Sequence, residues 1–409
     1  MYLGGYIHSD AFALIKNIIY INLKINNKFT VISFFLKKIY FYSTLYYMET
    51  IVASKNKNNF IEFLRFVFCF IIVIHHSQNM LPQGSPTFFT SGALSVEFFY
   101  IIMGYFAIKH VEEHKGAIKG MTDATKYTVK KLLRLLPYTT IAIVAAYLWE
   151  FFIRSYLPLV DRLMSFQNMP SELLMLPMTG QIEISLNAYR CTQLWFLSCM
   201  LIALPIVMYL SVKCNDVFKG YLVWFVPFML LAYMGFKWTS IFAWGAHGAV
   251  LYGGTVRAIA DLLLGGGAYY TVNAIKNKGF NPGSFLKFIF TLCEIILLAF
   301  TVFSCHRSEL TVYDQIFVAM IIWLMLVITL SGISYSGTIF SGLLSPLWSF
   351  LGKISMPVFC LHWTVFKYLE NEAFAGLGYW TKVCINIVVC IIIYLVVSSI
   401  GKLIKKKKV

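Results

Sequence analysis

Stretches of roughly 20 consecutive apolar residues, each the length of helix that crosses the hydrocarbon core of a bilayer, recur from residue 60 almost to the end of the chain. Lipid offers no water to pair exposed backbone N–H and C=O groups, so only helices and closed β-barrels can carry such stretches across it. A barrel strand alternates apolar and polar residues over about ten positions. The run from 383 to 399, VCINIVVCIIIYLVVSS, does not alternate. The expected fold is therefore all-α, a polytopic integral membrane helical bundle. Composition agrees: 59% of the 409 residues are hydrophobic and 13% charged, against about 45–50% and about 25% in soluble chains.

About ten transmembrane helices are expected, near residues 60–80, 88–108, 135–156, 194–212, 221–236, 255–275, 287–304, 316–332, 349–369 and 381–401. Lys and Arg in short loops mark the cytoplasmic side. One side collects Lys109, Lys115, Lys119, Lys126, Lys130, Lys131, Arg134, Lys276, Lys278 and the tail from Lys402 to Lys408; the other holds mainly Arg154, Arg162, Arg190, Lys237 and Arg307. Both termini are then cytoplasmic, in a multi-pass protein of a cell membrane. Three parts are expected: an N-terminal extension over 1–57, a membrane domain over 58–401 and a basic tail over 402–409. The first 47 residues are crowded with Ile, Asn, Lys, Tyr and Phe; they read either as an interfacial or extra hydrophobic segment or, the favoured expectation, as lying upstream of a translation start at Met48.

The formal charge of +16 reads as this topology rather than as affinity for nucleic acid. None of the nine cysteines falls in a metal-ligand pattern, and no metal or bound cofactor is expected. Cys191 and Cys305 both lie in outer segments, which leaves a disulfide open. Gly265, Gly266 and Gly267 form the one prominent glycine interruption, in the sixth span. Transporters built from inverted repeats tend to have such breaks in pairs, so a lone one argues against that class.

The first span, FIEFLRFVFCFIIVIHHSQ, carries Glu62, Arg65, His75 and His76. Ionisable groups at such depth belong toward the bundle interior or a wet cavity. Arg65 and His76 are eleven positions apart, hence about 20° apart around a helix and roughly 16 Å apart along it. They share a face, from which His75 lies roughly 80° away. Glu62 can neutralise Arg65 as an i,i+3 pair. The second span, FFTSGALSVEFFYIIMGYF, returns with Glu97 at a depth where it could reach His76. A carboxylate beside an imidazole fixes its tautomer and raises its basicity, as a general base requires. Plainer readings stand beside this one, an interhelical hydrogen bond for His76 and a buried ion pair with a Lys or Arg for Glu97. Lys130, Lys131 and Arg134 cluster on one helical turn before the third span. They can anchor the helix at the interface or grip the phosphates of a cytoplasmic donor.

These residues resemble the acyltransferase type 3 family, multipass membrane enzymes typified by bacterial O-acetyltransferases of surface polysaccharides. Its first-span signature, Arg, ten residues, His, is matched by Arg65 and His76 behind IEFLR. Val96, Glu97, Phe98, Phe99 and Gly104 resemble its second-span pattern, KKLLRLLP its basic motif, and Trp195 to Ser198 its later Trp-Phe-Leu-Ser. Arg257 with the sixth-span glycines, and LGKISMPVFCLHW with His362, are similar too. Glu97 stands where many members have Asp, and Lys130 where Arg is common. The resemblance implies an acyl-coenzyme A donor, most often acetyl, no bound cofactor, and a glycan or lipid-linked sugar acceptor within the bacterial plasma membrane. By this reading His76, Glu97 and Arg65 are catalytic, Lys130, Lys131 and Arg134 bind the donor, and Trp195, Arg257 and His362 line the cavity. The outer loop from Leu157 to Arg190, with Asp161, Glu172, Glu183 and Tyr189, is long enough to touch an acceptor. The competing class is a transporter or flippase for a lipid-linked sugar, with the buried Arg, His and Glu as a proton relay.

Overall fold

A computed structural model describes residues 58–82, 84–177, 189–248 and 251–406. The N-terminal extension, Met48, Glu183 and the last lysines lie outside these. Residues 55–399 form one unit, to which the packing below refers. Of the other unit, residues 1–54 and 400–409, only the helical residues 400–406 are described.

Among the described residues there is no strand, and eleven helices exceed ten residues: α1 (Asn59–Ser77), α2 (Ser95–Glu113), α3 (Met121–Leu133), α4 (Leu136–Ile153), α5 (Trp195–Lys213), α6 (Val223–Trp238), α7 (Gly253–Asn277), α8 (Ser284–His306), α9 (Val312–Ser331), α10 (Ser345–Leu369) and α11 (Tyr379–Lys406). Local chemistry sets several boundaries. Asn58 caps α1 by accepting from the Phe60 and Ile61 N–H groups, which a helix start leaves without intrahelical partners. Thr311 and Asp314 form a reciprocal capping box on α9, and Gly332 ends that helix in a left-handed conformation (φ 73°). α2 begins seven residues later than the apolar run at 88 suggested. Phe89 sits at φ 56° and a tight turn over Gly92–Leu94 precedes the helix, so the polar Thr90–Ser91 step makes a corner rather than a turn of helix.

Among the described residues, eight helical segments are long and apolar enough to cross a membrane, including α8 and α11. α8 bears Phe285, Phe288, Ile295, Ile296 and Phe303 exposed on its outside, as a lipid-facing helix does. The two remaining long helices, α7 and α10, have 25 residues each but are more polar. Both are enclosed by neighbours, where polar side chains need bundle partners rather than lipid compatibility.

These two enclosed helices set the frame. α10 packs on α1, and three contacts tie them: Asn59 Nδ2 to Ser345 Oγ, Cys69 Sγ to the Ser355 carbonyl, and His76 to His362. All three share a sequence offset of 286, so the helices run parallel and in register over nearly all of α1. α7 packs on α2, also parallel, from Glu97–Arg257 to Glu112–Tyr270. A Cβ on Gly104 would collide with the Leu262 carbonyl oxygen, and one on Gly265 with the Ile101 carbonyl oxygen. The glycines therefore let two backbones touch, as small residues do between membrane helices. The expected interruption at Gly265–Gly267 does not occur, because α7 is continuous there. Cys191 and Cys305 are both free thiols; Cys191 faces Thr364 and Cys305 faces Ser95.

Candidate functional site

The last turn of α1 presents two histidines on different faces. His75, off the Arg65 stripe as helical phase requires, bonds through Nδ1 to the Phe89 carbonyl at 2.9 Å. Gly92 leaves room for it, since a Cβ there would lie 2.6 Å from the His75 Cβ. His76 points to α10, where its Nδ1 lies 2.7 Å from Nε2 of His362. The two rings are nearly parallel, at an interplanar angle of 7°, and Trp363 sets its ring edgewise to His76 at 5.3 Å. His362 is wholly buried, whereas His76 keeps part of its surface open. Nδ1 of His362 lies 2.8 Å from the Phe359 carbonyl and 3.2 Å from that of Val358. From α11, Asn386 donates to the His362 carbonyl at 2.8 Å, and Tyr379 shares a 2.5 Å hydrogen bond with Ser77.

Glu97 is not the partner of this imidazole. Its Oε1 accepts a hydrogen bond from Arg257 Nε at 2.8 Å and forms an ion pair with Nη2 at 2.5 Å, with neither side chain exposed. Arg257 also donates to the Ala93 carbonyl at 2.8 Å and lies between the Trp195 and Phe242 rings, 5.9 Å and 5.6 Å from their centroids. An unpaired buried guanidinium costs far more than a neutral imidazole without a carboxylate, so the acid goes to the arginine. Of the readings open from sequence, the ion pair is the one the structure contains. One helical turn beyond Arg257 sits Asp261, also wholly buried and facing Glu97. Glu97 Oε2, both Asp261 oxygens and Arg257 Nη1 have no hydrogen-bond partner. Two acids and one guanidinium thus meet in one buried cluster, and the guanidinium is what offsets the cost of burying carboxyl groups there. Asp261 escaped sequence reasoning, although an acid four residues from Arg257 in an apolar segment is a signal of this kind.

Toward the other end of α1, Arg65 pairs with Glu62 at 3.1 Å, and Gly352 of α10 supplies the space that Glu62 occupies. Lys130 and Lys131 end α3, with Arg134 as its C-cap. This amphipathic helix of 13 residues packs on α5 and precedes α4. Lys131 lies 5.0 Å over the Tyr127 ring. Burial, reinforced by the charges of Arg134 and Lys130, pushes its ammonium down to about 8. Positive charges massed at a helix C-terminus complement its dipole and form a ready anion site.

In the connection between α4 and α5, Glu172 is buried at the end of a short helix (Met169–Leu173). It accepts from the Tyr147 hydroxyl at 3.0 Å and from the N–H groups of Arg190 and Cys191 at 2.5 Å and 3.2 Å. Burial raises its carboxyl above the usual value against these bonds. Glu172 is thus the clasp of this loop rather than an exposed contact for a ligand. A groove of about 650 Å³ between α7, α8 and α9 is lined by apolar residues such as Phe290, Leu297, Trp323 and Val327, and by none of the residues above. No group of three or more His, Cys, Asp or Glu among the described residues is placed to hold a metal.

The structure thus brings His76 and His362 together, joins Glu97 to Arg257, which lies against Trp195, and pairs Arg65 with Glu62. A partly open imidazole backed by a second one can take a proton from a hydroxyl and return it. Residues 58–399 match a family whose description is acyltransferase domain. No curated protein and no solved structure matches the chain.

Proposed function

From the premise that the chain belongs to the acyltransferase type 3 family, we propose that it moves an acyl group, in the simplest case acetyl, from cytoplasmic acyl-coenzyme A to a hydroxyl of a cell-surface or lipid-linked glycan. The observation that carries this reading is His76, a partly open imidazole near the end of α1, whose Nδ1 is engaged by His362 and whose other ring nitrogen is left for a substrate. Lys130, Lys131 and Arg134 bind the phosphates of the donor, and its thin pantetheine arm runs between helices toward His76. Arg65, on the same face of α1 roughly 16 Å away, steadies charge along that passage. His76 removes the proton of the acceptor hydroxyl, the oxygen attacks the thioester carbon, the C–S bond breaks, and the proton passes from His76 to the leaving thiolate. Glu97 and Arg257 act together, holding Ala93 and thereby the turn that presses Gly92 against His75.

The reading includes about ten crossings with both ends in the cytoplasm of a bacterial cell. The parallel register of α1 and α10 supports that number. Among the described residues, six apolar helices lie between them, and side-by-side helices that start on one face of the membrane need an odd number of crossings in between. α7 supplies the seventh.

The test is to supply labelled acetyl-coenzyme A to inside-out vesicles and follow label onto glycan or lipid. Wild-type protein transfers label and His76→Ala, inserted at the same level, does not. A His76→Ala protein that acylates normally, or a wild type that moves whole glycans without transferring label, defeats the reading.

A further inference from the structure

We propose that His362 is a positioning residue that holds His76 in the one tautomer able to act as a base; this rests on the reading of His76 as the group that meets the acceptor hydroxyl. The argument is a count of protons on four ring nitrogens. Nδ1 of His362 faces two carbonyl oxygens, at 2.8 Å and 3.2 Å. Carbonyls only accept, so this nitrogen carries hydrogen. The alternative leaves a lone pair facing two carbonyl oxygens in a wholly buried place, with the hydrogen bond unmade and the lone pairs repelling. A neutral imidazole with hydrogen on Nδ1 has a bare Nε2. That bare Nε2 is 2.7 Å from Nδ1 of His76, a distance that requires one hydrogen between them, and only His76 can provide it. His76 is therefore the Nδ1–H tautomer, and its own Nε2 holds a lone pair.

The two carbonyls of α10 thus dictate, through two rings, which nitrogen of His76 is basic. The backbone serves here as a carboxylate serves in other catalytic histidine pairs. The arrangement also accommodates the charge that catalysis creates. When His76 Nε2 takes the acceptor proton, the positive charge spreads over the hydrogen bond to His362, whose Nδ1–H is already anchored. Returning the proton to the thiolate restores both neutral rings, so the pair is unchanged over a turnover. Three observations make the geometry rigid: the constant 286-residue offset between α1 and α10, the Asn386 bond to the His362 carbonyl, and the edgewise Trp363.

The experiment is ¹⁵N NMR of histidine-labelled full-length protein in lipid nanodiscs, with the His76 signals assigned by their loss in His76→Ala, together with kinetics of His362→Phe and His362→Gln. In wild type, Nδ1 of His76 should be protonated and Nε2 bare. His362→Phe removes the acceptor; kcat should fall by about 10²–10⁴, the scale of a lost tautomer control, while KM for acetyl-coenzyme A stays within about twofold because the donor site is elsewhere. In His362→Gln an amide oxygen can accept from Nδ1, and kcat should recover to within about tenfold of wild type. Wild-type His76 with its hydrogen on Nε2, or full kcat in His362→Phe, overturns the inference. The NMR result decides even if a variant fails to fold. An active His76→Ala defeats the proposed function itself, whereas an inactive His76→Ala beside a fully active His362→Phe defeats only the role of His362.

Discussion

Arg257→Met should be among the most damaging single changes in the protein, and the structure says why the damage comes from what remains. Methionine keeps much of the side chain's length but forfeits the 2.8 Å hydrogen bond and the 2.5 Å ion pair to Glu97 and the 2.8 Å hydrogen bond to Ala93. Glu97 and Asp261 then stand as two acids, both fully buried, with no cation in contact. Removing one partner of a buried pair costs about 3–5 kcal/mol, while replacing the whole set by uncharged groups is often neutral. At about 1.4 kcal/mol per tenfold, the single variant should lose roughly 10²–10⁴ in its folded-to-unfolded ratio. The triple variant Glu97→Gln, Asp261→Asn, Arg257→Met should recover to within about 1–2 kcal/mol of wild type, since no charge is stranded. The assay is unfolding in detergent–lipid micelles, followed by tryptophan fluorescence and by the monodisperse fraction after heating. A single variant as stable as wild type, or a triple variant less stable than the single, would refute the account of Arg257 as the cation that offsets these buried acids.

Other expectations follow from single contacts. Gly104→Leu places a side chain where the Leu262 backbone lies, so α2 and α7 must separate; correctly folded protein should drop sharply, and normal yield with normal melting would contradict the packing. Lys131 is charged below its depressed value of about 8 and loses that charge as pH rises through it. KM for acyl-coenzyme A should therefore climb between about pH 7 and 9 with little change in kcat, and Lys131→Arg, charged throughout, should flatten the profile. Glu172 has a raised carboxyl, so its folded state binds protons more readily than the unfolded one. The stability it lends the connection between α4 and α5 should be fullest below about pH 4 and fall as pH rises through the raised value; hydrogen-exchange protection at Arg190 and Cys191, relative to the intrinsic rate at each pH, that grows with rising pH would show the sign to be wrong. Tyr379→Phe breaks the bond to Ser77 beside His76 and should lower kcat by less than about tenfold, read from initial rates in vesicles.

The class of fold and the residues worth testing were legible in the sequence, because both are written in local composition. A bilayer imposes one length and one polarity on whatever crosses it, so apolar runs located the long helices, even α7 and α10, which are too polar to qualify as spans by hydropathy alone. The expense of ionisable groups in such runs singled out Arg65, His76 and Glu97, the family resemblance added Arg257 and His362, and the i,i+3 spacing paired Glu62 with Arg65 correctly. Which of these groups meet was not legible. Choosing Arg257 rather than His76 as the partner of Glu97, and His362 as the partner of His76, depends on two parallel helix pairings, α2 with α7 and α1 with α10, between segments about 160 and 286 residues apart. Those pairings are set by backbone contact at Gly104 and Gly265 and by the room Gly352 leaves for Glu62, that is, by three-dimensional shape. Sequence spacing fixes angles around one helix, but only packing decides which neighbour a face will meet.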